Sequence, residues 1–244
     1  MILLRKPRAV TAHRFCRRPA ALLAAVWFAL VLPSVAVETT RFASAGKALM
    51  PVVISDRASE ATKAVATELA SYLSRMSGAK FEVITGEGTR GIVLGTATEF
   101  PQPGLADALA IRNTYDGREA FVIRTEKDRA LLLGATEFAV PHAAFTLLER
   151  LGCRWFFPAK AWEVVPERRE LSASIALADR PKILARRIWY GYGPFPDDKQ
   201  HPLGRSCAAD YNDWARHNRM AASFRVYAGH SYEAIIASHK PLFA

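Results

Sequence analysis

The pattern of apolar residues changes at Pro181, and this change limits the possible folds of the chain. Before it, residues 39–178 alternate short apolar runs with two amphipathic stretches, which predicts several strands and two helices around one sheet. After it, the predicted order is strand, helix, strand, helix, which favours parallel βα units. A β/α barrel needs about 250 residues, whereas residues 181–244 number 64. We therefore expect one α/β domain at 39–178 and the truncated start of a barrel at 181–244.

Hydrophobic periodicity places the main elements of the first region. Helices are predicted at residues 58–76 and 137–151, closed by Gly78 and Gly152, with Pro141 in the first turn of the second helix. Strands are predicted at 51–55, 81–84 and 91–95, with a hairpin of 120–124 and 130–134. Residues 168–170 are predicted to begin a polar exit from the domain, and residues 178–181 to form a linker.

Beyond Pro181, a strand is predicted at 187–193 and a long polar loop at 194–207. A helix at 210–220, capped by Asp210, follows. A strand at 223–228, a turn at 229–231 and a helix at 232–238 complete the pattern.

The N-terminus has the composition of an export signal. Residues 1–36 contain six basic and no acidic residues, an apolar run at 20–32, and the small residues Ser34 and Ala36 before a cleavage position. The run is shorter than the about 20 residues that span a bilayer, so no stable membrane anchor is expected after cleavage, an uncleaved anchor being the alternative. The sequence predicts a secreted or periplasmic protein.

Removal of the signal changes the electrostatic argument. The chain has 33 basic and 23 acidic residues and a net charge of +10; without the six basic residues of the signal, 27 remain against 23, which leaves +4. That charge is ordinary for a soluble domain, so nucleic acid is not an expected partner. Of three cysteines, Cys153 and Cys207 remain, either paired in an oxidising compartment or with Cys153 as a buried thiol.

The sequence lacks the motifs of several common chemistries. Gly86, Gly88 and Gly91 satisfy a G-x-G-x-x-G pattern, but a strand follows instead of the helix that would hold a pyrophosphate, so no dinucleotide cofactor is expected. The histidines lack zinc-site spacing, and no metal or other cofactor is predicted. We find no G-x-S-x-G, no nucleophile–base arrangement and no convincing pair of catalytic carboxylates.

Tyr192 and His230, which both follow Pro181 in the chain, are candidate substrate contacts. His230 follows a predicted barrel strand, on the rim where such barrels carry their chemistry, although it is also a plausible turn residue. Tyr192 ends the first predicted barrel strand, together with Trp189 and Tyr190. Aromatic faces with polar tips suit the C–H faces of sugar rings, and packing within the barrel is the alternative role.

Several segments resemble the accessory domain that precedes the barrel in glycoside hydrolases. They are the helical run 68–78, the strand 92–95, residues 117–123 and the run 145–158, which contains Gly152-Cys153-Arg154-Trp155-Phe156-Phe157-Pro158. The chain is similar here to the N-terminal domain of α-glucuronidases and to the second domain of β-N-acetylhexosaminidases. The resemblance covers about residues 45–244.

This resemblance implies a fold and a context. It implies an α/β sandwich of a mixed sheet with two main helices, packed against a TIM-type barrel, in a secreted protein acting on polysaccharides that contain uronate or N-acetylhexosamine. Arg186, five residues after Pro181, matches the arginine that reaches the substrate sugar in those enzymes. Their catalytic acids lie on later strands, so the chain itself is expected to be inactive. The alternative is a carbohydrate-binding or adaptor module without a catalytic barrel.

Overall fold

The structure, a computed structural model, describes residues 38–114, 116–183, 185, 186, 188 and 202–220, with side chains in the last stretch from Ala209 onward. Its α-helices are α1 (Glu60–Ser77), α2 (Val140–Leu151) and α3 (Pro202–His217). Its strands are β1 (Thr40–Ser44), β2 (Lys47–Ala48), β3 (Val52–Ile54), β4 (Val83–Thr85), β5 (Gly91–Thr96), β6 (Phe121–Glu126), β7 (Arg129–Gly134), β8 (Arg154–Trp155), β9 (Glu163–Val164), β10 (Leu171–Ala173) and β11 (Ala176–Asp179).

Local signals explain where α1 and α2 begin and end. The Ser59 side chain caps α1 by accepting a hydrogen bond from the backbone N–H of Thr62. A 3₁₀ turn, Glu137–Ala139, precedes α2, and Pro141 lies in its first turn, where a missing N–H costs little. Gly152 ends α2 with a φ of 110°, a left-handed conformation that glycine adopts without strain. Both predicted helices are confirmed.

The central sheet has the strand order β11-β6-β7-β5-β3-β4. Strands β7, β5, β3 and β4 are parallel, whereas β6 and β11 add antiparallel pairs at one side. The predicted hairpin is β6–β7, which turns through Lys127 and Asp128. The mixed α/β class predicted from the pattern is therefore confirmed.

Side-chain alternation along the strands assigns the two faces of the sheet. On β7, Leu132 belongs to the core shared with α1 and α2, whereas Leu131 and Leu133 belong to a second apolar cluster on the opposite face. Phe100 and Leu109, from the connection between β5 and β6, cover that second face. Both main helices thus lie on one side of the sheet, where they contact each other.

The expected polar exit at residues 168–170 is wrong, because the chain re-enters the domain directly after it. Strand β10 pairs with β1, and β11 then pairs antiparallel with β6 as far as Asp179. These short strands lack an apolar pattern of their own, since their stability comes from partners about 50 or more residues away in the chain. The loop at Gly86–Gly91 connects β4 to β5, as the sequence predicted, without a helix behind it.

The start of α3 differs from prediction. The helix begins at Pro202, within the stretch predicted as a loop, so Asp210 is an internal residue rather than the cap. Proline suits a first helical position because its fixed φ is helical and the N–H it lacks would be unpaired there. The signal segment, Tyr192 and His230 lie outside the described residues. None of the α-helices that the structure describes combines the length and apolarity needed to cross a membrane.

Candidate functional site

A cleft of about 260 Å³ lies where α1, the β8–β9 hairpin and α3 meet. Helix α1 contributes Glu68, Tyr72 and Arg75, which share one face because they are spaced four and three residues apart. The other lining residues come from the hairpin region and from α3. They are Trp155, Phe157, Ala159, Lys160, Glu163, Asp210, Asp213, Trp214 and His217, with Ser71 of α1.

Glu163 is the hub of the hairpin side of this cleft. Its Oε1 accepts hydrogen bonds from the Tyr72 hydroxyl and, at 3.1 Å, from Trp155 Nε1, and its Oε2 accepts one from Arg75 Nη2 at 2.9 Å. Burial alone would raise the pKa of Glu163, but the hydrogen bonds from Arg75 and Tyr72 outweigh it and lower that pKa. Glu163 is therefore a fixed, ionised acceptor at neutral pH.

Tyr72, unlike Glu163, is held in its protonated form. Burial and the hydrogen bond to Glu163 raise its pKa, so its hydroxyl keeps the proton at neutral pH. A general acid or base works best with a pKa near the working pH, and these two groups are shifted away from it. The Tyr72–Glu163 pair therefore suits binding and positioning rather than proton transfer.

Glu68 links α1 to α3, as Tyr72 and Arg75 link α1 to Glu163 of the hairpin. Its two carboxylate oxygens bind Arg216 Nη1 at 2.5 Å and His217 Nε2 at 2.6 Å. Burial would raise the pKa of Glu68, but His217 and Arg216 outweigh burial and lower it. The His217 ring also packs against the rings of Phe145 and Trp155, with centroid distances of 4.5 and 4.7 Å.

The backbone of the hairpin completes the attachment of α3. Trp214 Nε1 and Asn218 Nδ2 both donate to the carbonyl oxygen of Trp155, at 3.0 and 3.1 Å. The last turn of α3 is therefore held by an ion pair, aromatic contacts and hydrogen bonds at once.

A second charged contact ties the segment after Pro181 to the domain. Arg186 Nη1 lies 2.8 Å from Oε2 of Glu119, a side chain only 5% exposed, and also donates to the Ile183 carbonyl at 2.6 Å. His142 Nε2 lies 3.9 Å from the other carboxylate oxygen, beyond hydrogen-bond distance. Burial would raise the pKa of Glu119, but His142 and Arg186 outweigh it and lower that pKa.

The structure places one of the three predicted site residues, Arg186, in this ion pair with Glu119. Its role as a sugar contact stays a prediction, as do those of Tyr192 and His230. The cleft itself was missed by the sequence argument, although the aromatic run at Trp155 and Phe157 was singled out. Its remaining groups come from segments about 80 to 150 residues away, which no local motif reports.

Neither the cleft nor the Glu119–Arg186 contact forms a metal site or a reactive thiol site. Within the described ranges, no group of three or more His, Cys, Asp or Glu side chains is placed to hold a metal ion. Cys153 is a free, buried thiol, 3.6 Å from the sulfur of Met76. Burial, with a smaller contribution from Glu163, raises its pKa to about 12, so it is not a poised nucleophile.

Comparison with solved structures finds similarity over part of the chain. No family model and no curated protein sequence matches the chain. Similar solved structures include the GH20 β-N-acetylhexosaminidase from Streptomyces coelicolor A3(2), with 19% identity, a TM-score of 0.41, and coverage of 61% of this chain and 24% of that one.

A family GH115 4-O-methyl-α-glucuronidase with specificity for decorated arabinogalactans is similar at 14% identity and a TM-score of 0.46, over 74% of this chain and 25% of that one. CpGH84D is similar at 12% identity and a TM-score of 0.31, over 44% of this chain and 18% of that one. The chain thus spans about a quarter or less of the length of each of these structures.

Proposed function

We propose that this chain is the accessory α/β domain and the first βα units of the barrel of a secreted, glycoside-hydrolase-like protein that acts on polysaccharides. In this proposal the accessory domain is not catalytic. It holds the start of the barrel in place, and the chemistry belongs to later barrel strands. The sequence resemblance at residues 68–78 and 145–158 supports the context, and the contacts across Pro181 support the holding role.

The observation that carries the proposal is a set of charged contacts across Pro181, which join Glu119 to Arg186, Glu68 to Arg216 and His217, and Glu149 to Arg219. Glu119 and Glu68 belong to the α/β domain, whereas Arg186, Arg216 and His217 follow the proline. An exposed ion pair contributes little to stability, but removing one partner of a buried pair costs about 3–5 kcal/mol because a desolvated charge is left behind. Charged contacts of this kind fix the segment after Pro181 in one position against the α/β domain, as the support of a barrel requires.

The holding role is tested by Glu68→Gln. We expect the amide hydrogens of α3, from the residues after Pro202 to His217, to exchange roughly tenfold faster or more, because a charge-assisted hydrogen bond contributes about 1.5–3 kcal/mol, while protection of α2 is kept. Glu60→Gln is the matched control, since Glu60 lies on the same helix with a side chain 90% exposed. Unchanged exchange in α3 of the Glu68 variant would refute the holding role.

The absence of catalysis in this chain has a separate test. Purified protein is incubated with an aryl β-N-acetylhexosaminide and with an aldobiouronic substrate, and product release is followed. We expect no turnover above background; clear turnover would contradict the assignment of the chemistry to later strands. Where the reading frame continues past Ala244, the longer protein is expected to cleave one of these substrates.

Export is proposed from residues 1–36 alone. Expression in a bacterial host should yield a periplasmic or secreted protein whose first residue is Val37, as determined by N-terminal sequencing. Retention of Met1 on membrane-bound protein would favour the uncleaved anchor.

A further inference from the structure

We infer that the cleft between α1, the β8–β9 hairpin and α3 binds one ring of a neutral sugar. The inference rests on the proposed function for a polysaccharide partner, and it assigns that partner a place where the accessory domain meets α3.

The size suits a small rigid ligand. Pockets that bury drug-sized molecules measure about 300–1,000 Å³, and the cleft, at about 260 Å³, lies just below that range. One pyranose ring is therefore a better occupant than a peptide segment with several side chains. The neighbouring rings of the polymer would lie outside, over the hairpin.

The hairpin presents exposed aromatic rings at that position. Phe157 lines the cleft with 46% of its surface exposed, and Trp162, 57% exposed, lies beside it with ring centroids 6.0 Å apart. Large aromatic side chains are normally buried, and exposed clusters of them mark binding surfaces. Their flat apolar faces match the C–H face of a pyranose, while water or polar groups reach the hydroxyls at its edge.

Polar groups inside the cleft match the hydroxyls. Glu163 is an ionised acceptor whose position is fixed by Tyr72, Trp155 and Arg75, so it binds a hydroxyl without losing side-chain freedom. Lys160 and Asp210 also line the cleft, and neither forms an ion pair with another residue in the part of the chain that the structure describes. They supply a donor and an acceptor for further hydroxyls.

The charge of the cleft selects neutral over acidic sugars. The lining includes four carboxylates, Glu68, Glu163, Asp210 and Asp213, against the two cations Arg75 and Lys160. Arg216 and His217 offset Glu68, and Arg75 offsets Glu163, so the remaining negative charge lies at Asp213, which shares Arg216 with Glu68, and at Asp210. A uronate carboxylate entering this site would meet repulsion, whereas a neutral hexose or N-acetylhexosamine would not.

The test is a titration of the whole chain with N,N′-diacetylchitobiose, cellobiose and glucuronic acid, followed by tryptophan fluorescence and by calorimetry. We expect saturable binding of at least one neutral disaccharide and weaker binding of glucuronic acid. Phe157→Ala and Trp162→Ala are each expected to weaken binding roughly tenfold, since ring stacking adds to the burial of apolar surface. Phe138→Ala is the matched control, because Phe138 is 64% exposed and does not line the cleft.

Three outcomes would overturn the inference. They are no saturable binding of either neutral sugar, binding that both aromatic substitutions leave unchanged, and glucuronic acid binding as tightly as the neutral sugars. Binding of trilysine in place of the sugars would identify the cleft as a site for basic peptides. Each result is independent of the hydrogen-exchange test on Glu68, so loss of sugar binding and loss of the holding role are distinguishable.

Discussion

The buried pair Glu119–Arg186 gives the sharpest energetic prediction for this protein. Glu119→Gln keeps the shape of the side chain and removes its charge, which leaves the Arg186 guanidinium, 21% exposed, without its counter-ion. Breaking a buried pair costs about 3–5 kcal/mol. Because Arg186 retains some solvent and still donates to the carbonyl oxygens of Ile183 and Arg219, we expect about 3 kcal/mol, at the lower end of that range.

Removing the arginine instead of the carboxylate charge should lower the free energy of unfolding further. Arg186→Met leaves the Glu119 carboxylate, which is only 5% exposed, with His142, 3.9 Å away, as its nearest charged partner among the residues that the structure describes. We expect a loss near the upper end, about 5 kcal/mol. The double variant E119Q/R186M should lose well below the sum of the two, since neither change then leaves an isolated buried charge.

Urea unfolding at neutral pH, followed by circular dichroism, measures all three variants, and Glu137→Gln on the exposed surface is the control. In thermal unfolding, the E119Q loss corresponds to roughly 6–12 °C for a domain of this size. Single effects that add to within about 0.5 kcal/mol, or an E119Q variant as stable as the control, would contradict a coupled, buried pair.

Three further predictions concern the pH dependence of stability, the end of α2 and the buried thiol. Carboxylates whose pKa is lower in the folded than in the unfolded protein should stabilise the fold fully above the ordinary pKa of about 4.3, and this stabilisation should be lost as the pH falls through their folded pKa values. Urea midpoints measured from neutral to acidic pH report it. E119Q should show a smaller change of midpoint with pH. The groups concerned are Glu68, Glu119 and Glu163. Gly152→Ala should destabilise by about 1–3 kcal/mol, because φ is 110° and a Cβ would lie 3.1 Å from Pro166, while Gly104→Ala, with open space around it, should be neutral in the same unfolding assay. In a Cys207→Ser background, Cys153 should react with a thiol reagent only after unfolding; rapid reaction of the folded protein would contradict its burial.

The sequence was sufficient for elements whose stabilising interactions are local or periodic. Both main helices follow from apolar residues at helical spacing and from glycines in left-handed conformations at their ends. The β6–β7 hairpin follows from two apolar runs joined by a two-residue turn. In each case the determining residues lie within one or two turns, or one strand, of each other.

Short strands and the start of α3 were not predictable in this way. Strands β1 and β10 are five and three residues long and exist because they pair across more than 120 residues of chain. Pro202 was interpreted as part of a polar loop, because a proline is compatible with a loop and with a first helical turn alike.

The candidate site depended on tertiary structure almost entirely. Helical geometry alone places Glu68, Tyr72 and Arg75 on one face of α1. Glu163 and His217 complete that face from 91 and 149 residues away, which depends on how the helices and the hairpin pack. The pKa shifts and the charge of the cleft arise from those distant neighbours, because electrostatic interactions depend on distance in space and on burial rather than on separation along the chain.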